Sequence, residues 1–237
     1  MDATKIRALA VATALAVFNV VVDPRLPGRT RPVVRTLVGT GLLGTSRTAP
    51  GLRPPALWSG VRTGSVAAAA VAATVAATTA VPVVRTAMRE RDLPPGLASW
   101  LLLGIPLGTV WSEEAAFRGA LGAMGTEAFG PAGGRLLQAA TFGISHIPDA
   151  RAAGEPVVGT VLVTGVAGWL LDWLMRRSSS LAAPLLVHLA LNETGALCAV
   201  LSRRGRGGAQ APSNSRISSG MPSTSGETVV FTHRPSG

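Results

Sequence analysis

Three short polar patterns interrupt long apolar stretches of this sequence, and each contains two named residues four positions apart. They are Glu113-Glu114-x-x-x-Arg118, Phe142-x-x-x-His146 and His188-x-x-x-Asn192. Residues four apart share one face of an α-helix, so Glu114 is predicted to face Arg118. Glu113 is rotated by about 100° from that pair. Glu114 therefore has a counter-ion within its own helix, whereas Glu113 must find one elsewhere in the chain.

The chemistry that these residue types support together is the activation of water. A carboxylate within hydrogen-bond reach of a water molecule can act as a general base, and a histidine can share the proton or orient the water. An asparagine amide and a second histidine can donate to an oxyanion as it develops. Because polar side chains of membrane helices turn towards the bundle interior or a wet cavity, we expect the three patterns to converge on one site.

A metal site is an alternative interpretation of the same residues, with Glu113, His146 and His188 as three ligands and water as the fourth. The helical His-Glu-x-x-His signature is absent, so the sequence carries no strong zinc signal. The single cysteine, Cys198, excludes an internal disulfide and a cysteine cluster. A metal-free site is slightly favoured, and zinc stays open as a cofactor.

A plainer alternative treats the acidic pair as the start of a helix of the soluble type. Ser112 would be its N-cap, and Glu113 and Glu114 would suit the positive end of the helix dipole. Taken alone, the acidic pair fits this interpretation as well as a functional one. Each histidine taken alone also fits a packed polar residue bonded to a neighbouring helix.

The composition of the chain favours a membrane protein. Of 237 residues, 47% are hydrophobic and 14% are charged, whereas soluble domains carry about 25% charged residues. The formal net charge is +10, but the arginines lie between apolar runs, as the positive-inside bias produces, rather than in one stripe. Nucleic-acid binding is therefore not expected. The alanine-, arginine-, glycine- and proline-rich composition points to a bacterial cell membrane.

The apolar runs predict an all-α, polytopic transmembrane helical bundle with about six to eight spans. Runs are found at 8–22, 65–84, 97–110, 135–147, 157–174 and 181–201, with a weaker one at 33–45 that Arg35 interrupts. Proline, glycine and charge predict loops at 49–62, 85–95 and 148–156 and a break at 130–134. The predicted organisation is N-terminal transmembrane helices over 1–96, a catalytic helical core over 97–201 and a disordered tail over 202–237.

The sequence resembles the CPBP family of intramembrane endopeptidases, which comprises CAAX prenyl proteases and Abi-type proteins linked to bacteriocin maturation or self-immunity. The pattern of that family is Glu-Glu-x-x-x-Arg, Phe-x-x-x-His and His-x-x-x-Asn, each on a separate transmembrane helix. Residues 113–118, 142–146 and 188–192 match it in order. Phe117-Arg118-Gly119 also matches the Phe-Arg-Gly ending of the first motif. The resemblance covers residues 97 to about 201.

The resemblance implies a site inside the bundle, at which Glu113 and His146 activate water for peptide hydrolysis. His188 and Asn192 would stabilise the oxyanion. The implied partners are a peptide or protein substrate at the membrane, prenylated for some members, and the lipid bilayer.

Two functions without peptide hydrolysis stay open. A non-catalytic membrane scaffold or bacteriocin-immunity protein would keep the polar cluster for helix packing. A transporter would use one carboxylate for proton coupling, but the small size of the chain and the absence of an internal repeat count against it.

Overall fold

The computed structural model describes residues 2–46 and 48–207, and this part of the chain is all-α. The N-terminal part contains α1 (Ala3–Val17), α2 (Arg31–Thr45), α3 (Ala56–Thr79) and α4 (Pro82–Glu90). After α1 the chain continues as a π-helical turn (Phe18–Val22) and a 3-10 turn (Asp23–Arg25).

The first polar motif lies in the middle of one long helix. This helix starts as α5 (Leu97–Ser99) and runs through the π-helical segments Trp100–Trp111 and Glu114–Leu121 into α6 (Gly122–Ser145). The chain kinks within α6 at Gly130, whose φ of 73° and ψ of 174° are tolerated by glycine and by few other residues. Residues 97–129 and 131–145 therefore act as two helices of a hairpin, with the break at the glycine-rich segment that the sequence predicts.

The C-terminal part of the bundle contains α7 (Ile147–Ala153), α8 (Val157–Ser178) and α9 (Ala182–Gly207). Helix α9 continues past position 202, where composition predicts the tail to begin. Residues 208–237 of the predicted tail lie outside the described residues.

Three predicted loops are helical over much of their length, so these predictions were wrong in part. Helix α3 begins at Ala56, and helices α4 and α7 occupy most of 85–95 and 148–156. Pro82 and Pro148 stand in the first turn of α4 and α7. Proline has no N–H to lose there, and its fixed φ suits a helix start. The prolines thus begin these helices instead of ending them.

Four helices are long and apolar enough to cross a membrane, and they make the chain an integral membrane protein. They are Ala3–Arg25, Ala56–Thr79, Val157–Ser178 and Ala182–Arg203. On α8, Val158, Leu162 and Val166 point away from the rest of the protein and are largely exposed. An exposed apolar stripe of this kind is what lipid contact requires. The count of four is below the six to eight spans expected from the sequence.

Close approaches at small residues hold the bundle together. A Cβ added at Gly64 of α3 would stand 2.8 Å from the Cα of Ala183 of α9, so these two helices pack almost backbone to backbone. A Cβ added at Gly39 of α2 would stand 2.8 Å from the Cα of Ser112. The second contact brings α2 against the long helix one residue before Glu113.

Candidate active site

The centre of the site is an ion pair that is fully removed from solvent. The side chains of Glu114 and Arg118 are 0% exposed, and Glu114 Oε1 lies 3.1 Å from Arg118 Nη1. The pair therefore forms as its spacing predicts. The same oxygen accepts a hydrogen bond of 2.7 Å from Nδ1 of His188 on α9. One carboxylate thus connects two motifs that are 74 positions apart in the chain.

The helix does not begin at this acidic pair. Ser112 Oγ donates to the carbonyl oxygens of Gly108 and Thr109, in the preceding turn of the same helix. A serine that bonds backwards in this way lies in a helix interior. The N-cap interpretation of Ser112 is therefore wrong, and Glu113 and Glu114 lie in the interior of a continuous helix.

The second motif packs against the ion pair through its phenylalanine. The Arg118 guanidinium carbon lies 4.0 Å from the centre of the Phe142 ring, in the position of a cation–π contact. Gly168 of α8 faces both groups. A Cβ at Gly168 would stand 2.9 Å from Phe142 Cδ1 and 3.4 Å from Arg118 Nη2. The absence of a side chain there leaves the room in which Phe142 and Arg118 stack.

Glu113 finds its counter-ion in α2. Its carboxylate oxygens lie 3.8 Å from Arg35 Nη1 and 3.9 Å from His188 Nε2. The oxygen facing His188, Oε2, is buried and has no hydrogen-bond partner in the part of the chain that the structure describes. Glu113 is 12% exposed, so it is more open than its neighbour Glu114. The structure thus assigns different surroundings to two adjacent carboxylates.

Arg35 is held in turn by a buried aspartate that none of the three motifs contains. Asp23 is 1% exposed and accepts from Arg35 Nε at 2.9 Å and from Arg31. Asp23 and Glu113 place two carboxylates beside the Arg35 guanidinium, and arginine keeps its proton in proteins. The guanidinium beside Glu113 therefore stays charged.

Sequence reasoning missed Asp23 and Arg35 as parts of the site. Their signal in the sequence is faint: Arg35 interrupts an apolar run, and Asp23 ends one just before a proline. A charge inside an apolar helix marks a candidate functional residue by itself. The sequence alone does not say which other charge it meets.

A small cavity lies beside Glu113 and Arg35, with α1 residues such as Leu15 and Asn19 on its other wall. Its volume is about 20 Å³. Roughly 10–15 Å³ of this measure is enough for one water molecule, provided that polar partners are present. Glu113 and Arg35 supply such partners, so the cavity has room for one water next to the carboxylate.

His146 and Asn192 stand apart from the carboxylates. His146 Nδ1 lies 2.8 Å from the carbonyl oxygen of Phe142, which can only accept, so this nitrogen carries a proton and Nε2 is the acceptor of the neutral ring. Within the described residues, no hydrogen bond or ion pair joins His146 to Glu113, Glu114 or His188. Asn192 Nδ2 donates to the His188 carbonyl oxygen at 3.0 Å. The Phe142 ring, whose centre is 4.6 Å from that of His146 and 6.3 Å from that of His188, stands between the two histidines.

Glu113, His146 and His188, the metal ligands of the zinc alternative, do not form a metal site in the described structure. Among the described residues, no group of three or more histidine, cysteine, aspartate or glutamate side chains could hold a metal ion. His146, the third ligand of that alternative, is bonded to its own helix instead. The geometry gives the zinc alternative no support.

Comparison with known protein families gives a match, and it covers the segment that carries all three motifs. Residues 95–194 match the model of the family described as type II CAAX prenyl endopeptidase Rce1-like. No curated protein and no solved structure matches the chain. The matched segment begins just before the long helix and ends two residues after Asn192. Residues 95–194 of this membrane protein are therefore a domain of the Rce1-like type II CAAX prenyl endopeptidase (CPBP) family, which is a family of proteases.

Proposed function

We propose that the protein is an intramembrane endopeptidase that uses Glu113 and histidine to activate water against a peptide bond of a membrane-associated or prenylated peptide. The observation that carries this proposal concerns the carboxylate oxygen Oε2 of Glu113. It is buried, has no hydrogen-bond partner among the described residues, and belongs to a carboxylate beside a cavity with room for one water. The membership of residues 95–194 in a protease family supports the same reaction.

In the proposed reaction, Glu113 accepts a proton from water while the water oxygen attacks the peptide carbonyl carbon. The same proton then moves to the amide nitrogen as the carbon–nitrogen bond breaks, which returns Glu113 to its ionised form. Arg35 is proposed to hold this carboxylate in position, because its Nη1 lies 3.8 Å from Glu113 Oε1. His146, whose Nε2 is an acceptor in the neutral ring, is proposed to share the proton of the same water.

The carbonyl oxygen becomes negative in this reaction and needs donors. His188 is proposed to supply one, because its Nδ1 is bonded to Glu114 and its Nε2 is directed to the side of Glu113. When the ring is protonated, the Nε2–H is free to donate to that oxygen. Asn192 has a second amide N–H beyond the one that bonds the His188 carbonyl, and it is proposed to donate with His188.

We further propose that the helix over 97–129 crosses the membrane as well, together with α2 and residues 131–145. The segment Trp100–Trp111 carries no charged residue. At the α-helical rise of 1.5 Å per residue, the helix over 97–129 would extend about 50 Å, which is more than the roughly 30 Å of a hydrocarbon core. With these segments the number of crossings falls within the expected range of about six to eight.

The experiment that tests the peptidase is cleavage of a membrane-peptide library, including peptides with a prenylated C-terminus, by the purified protein in detergent. Wild type is compared with Glu113→Gln, and with Glu155→Gln as a control that removes one exposed carboxylate outside the site. We expect wild type and Glu155→Gln to cleave equally. Glu113→Gln is expected to lose about a hundredfold to ten-thousandfold in rate, the usual contribution of a general base. Cleavage by Glu113→Gln at the wild-type rate would contradict the proposal, and full biological activity of that variant would favour a scaffold.

A chelator in the same assay tests the zinc alternative. Because Glu113, His146 and His188 do not gather around one point, we expect cleavage to be unchanged by the chelator. Loss of cleavage that added zinc restores would show instead that these residues bind a metal during the reaction.

A further inference from the structure

A second and much larger cavity opens at one end of the bundle. Its volume is about 650 Å³, which is within the range of about 300–1,000 Å³ for small-molecule sites. It lies where the start of α1, the end of α2, the end of the helix over 97–129 and the end of α8 meet. Glu113, His146 and His188 do not line it, so it is separate from the water-sized cavity of the proposed active site.

Arginine side chains from three helices line this cavity. They are Arg7 of α1, Arg118 of the long helix and Arg176 of α8. The acids in its wall are Asp172 and Glu127. Asp172 is already bonded by Arg176 and by Arg135, whose Nε lies 3.0 Å from Asp172 Oδ2. Arg135 and Arg176 thus balance Asp172, and Glu114 balances Arg118. When Glu127 is counted as well, the residues at the cavity keep a net charge of one positive.

Arg7 supplies much of this excess. Its Nη2 donates to the carbonyl oxygen of Thr45 at 2.7 Å, and within residues 2–46 and 48–207 no carboxylate lies at ion-pair distance from it. The bond to Thr45 holds the guanidinium at the cavity while its charge remains uncompensated. A guanidinium in this state is suited to an anion.

Arg118 adds a buried positive charge behind the wall of the cavity. Its side chain is 0% exposed, yet Nε, Nη1 and Nη2 have no hydrogen-bond partner among the described residues. Glu114 is near enough for an ion pair but is not placed for a hydrogen bond. A buried donor without a partner is costly, and such groups in native proteins call for an explanation. The ion pair with Glu114 and the stacking on Phe142 are the contacts that hold this guanidinium.

We propose that this cavity binds an anionic phosphate group, as carried by the headgroup of an anionic phospholipid. Arginine binds phosphate oxygens through paired N–H donors, and the threonine and serine hydroxyls of Thr126 and Ser46 add smaller polar contacts at the cavity wall. Ala123, Met124 and Met175 give it an apolar side for the lipid glycerol and the first methylenes. The helix ends around it place the cavity at headgroup depth. This site does not depend on the proposed peptidase reaction.

The test is binding of lipid to the full-length protein, purified in a neutral detergent and titrated with phosphatidylglycerol or phosphatidylcholine while native mass spectrometry counts the bound lipid. A third arm adds inorganic phosphate to the phosphatidylglycerol complex. Arg7→Gln removes one lining charge, and Ala123→Phe fills the cavity without a change of charge. The matched control is Arg177→Gln, which removes a neighbouring exposed arginine that does not line the cavity.

We expect wild type and Arg177→Gln to bind phosphatidylglycerol at least about tenfold more tightly than phosphatidylcholine. Arg7→Gln and Ala123→Phe should each lower the affinity for phosphatidylglycerol about tenfold, the size of one charge-assisted contact. Displacement by millimolar phosphate would show that the site recognises the phosphate group itself, and no displacement would show that it requires the lipid. Equal binding of the two lipids, or an equal loss in Arg7→Gln and Arg177→Gln, would overturn the proposal.

Discussion

At the scale of single residues, the neighbouring carboxylates of Glu113 and Glu114 differ in what surrounds them. Glu114 is closed in by Arg118 and His188 and is 0% exposed. Glu113 keeps a buried oxygen without a hydrogen-bond partner and has only longer contacts to Arg35 and His188. Two carboxylates whose surroundings differ in this way commonly divide the work of a site. We therefore propose that Glu113 transfers the proton and that Glu114 positions His188.

Substitution Glu114→Ala is expected to destabilise the protein strongly. It leaves the Arg118 charge and the Nδ1 of His188 buried without a carboxylate, and breaking a buried ion pair costs about 3–5 kcal/mol. Thermal unfolding in detergent should show a lower midpoint than wild type. Glu90→Ala, which removes an exposed carboxylate from α4, should leave the midpoint unchanged. Equal midpoints for all three proteins would show that the ion pair does not stabilise the bundle.

Substitution Arg35→Gln is expected to lower kcat at least about tenfold with little change in KM. Arg35 pairs with Glu113, so its charge is expected to act on the carboxylate that the proposed reaction uses. Arg35→Lys keeps the charge and should recover much of the rate.

The control for Arg35 is Arg31→Gln. Arg31 bonds Asp23, as Arg35 does, but has no contact with Glu113. If Asp23 and its arginines served only to hold α1 to α2, Arg35→Gln and Arg31→Gln would lower the thermal midpoint equally and would lower kcat equally. A loss of kcat confined to Arg35→Gln separates the effect on Glu113 from that structural role.

At the scale of helices, the site depends on where neighbouring backbones come close. Gly39 lets α2 approach the long helix, and Arg35 lies one turn before Gly39 on the same helix. Gly168 lets α8 approach the stacked Phe142 and Arg118. Neither glycine belongs to the three motifs, yet each controls a distance between helices that carry site residues.

Substitution Gly168→Ala is expected to lower activity, because the new methyl group would stand 2.9 Å from Phe142 and must push the ring and the arginine behind it. Overpacking of this kind costs about 1–3 kcal/mol. The control on the same helix is Gly159→Ala, where the nearest atom is an ordinary contact of 3.8 Å. The measurements are the cleavage rate and the thermal midpoint of both variants. If Gly168→Ala matches Gly159→Ala in both, Phe142 and Arg118 can move aside without loss of activity.

At the scale of the whole molecule, the matched family segment does not hold the site by itself. Residues 95–194 contain all three motifs, but Arg35 and Asp23 come from the N-terminal helices. Helix α1 also contributes Ala12 and Leu15 to the apolar cluster around Phe117 and Phe142. The predicted division at residue 96 therefore separates sequence regions whose side chains share one polar network.

The orientation of α8 across the membrane gives a prediction for the whole fold. In a Cys198→Ser background, Ala152→Cys places an exposed thiol before this helix, and Arg177→Cys places one in its last turn. A maleimide that does not cross membranes should label one of them in sealed vesicles and the other only after permeabilisation. Labelling of both thiols in sealed vesicles would show that α8 does not span the bilayer.

The sequence by itself determined the features that depend on neighbours along the chain. The long apolar runs require helices in a membrane because every backbone group must be bonded within its own segment. The pairing of Glu114 with Arg118 follows from helical spacing alone and forms at 3.1 Å. The spacing and order of the three motifs were also sufficient for the family resemblance, which the match over residues 95–194 confirms.

Only the tertiary structure decided which helices meet and at what distance. The contacts of Glu113 with Arg35, of Glu114 with His188 and of Arg35 with Asp23 join different helices, and no periodicity within one helix specifies them. The same holds for the arginine-lined cavity at the bundle end. These features follow from close packing at residues such as Gly39 and Gly168, whose effect depends on the opposing helix and is invisible until that helix is in place.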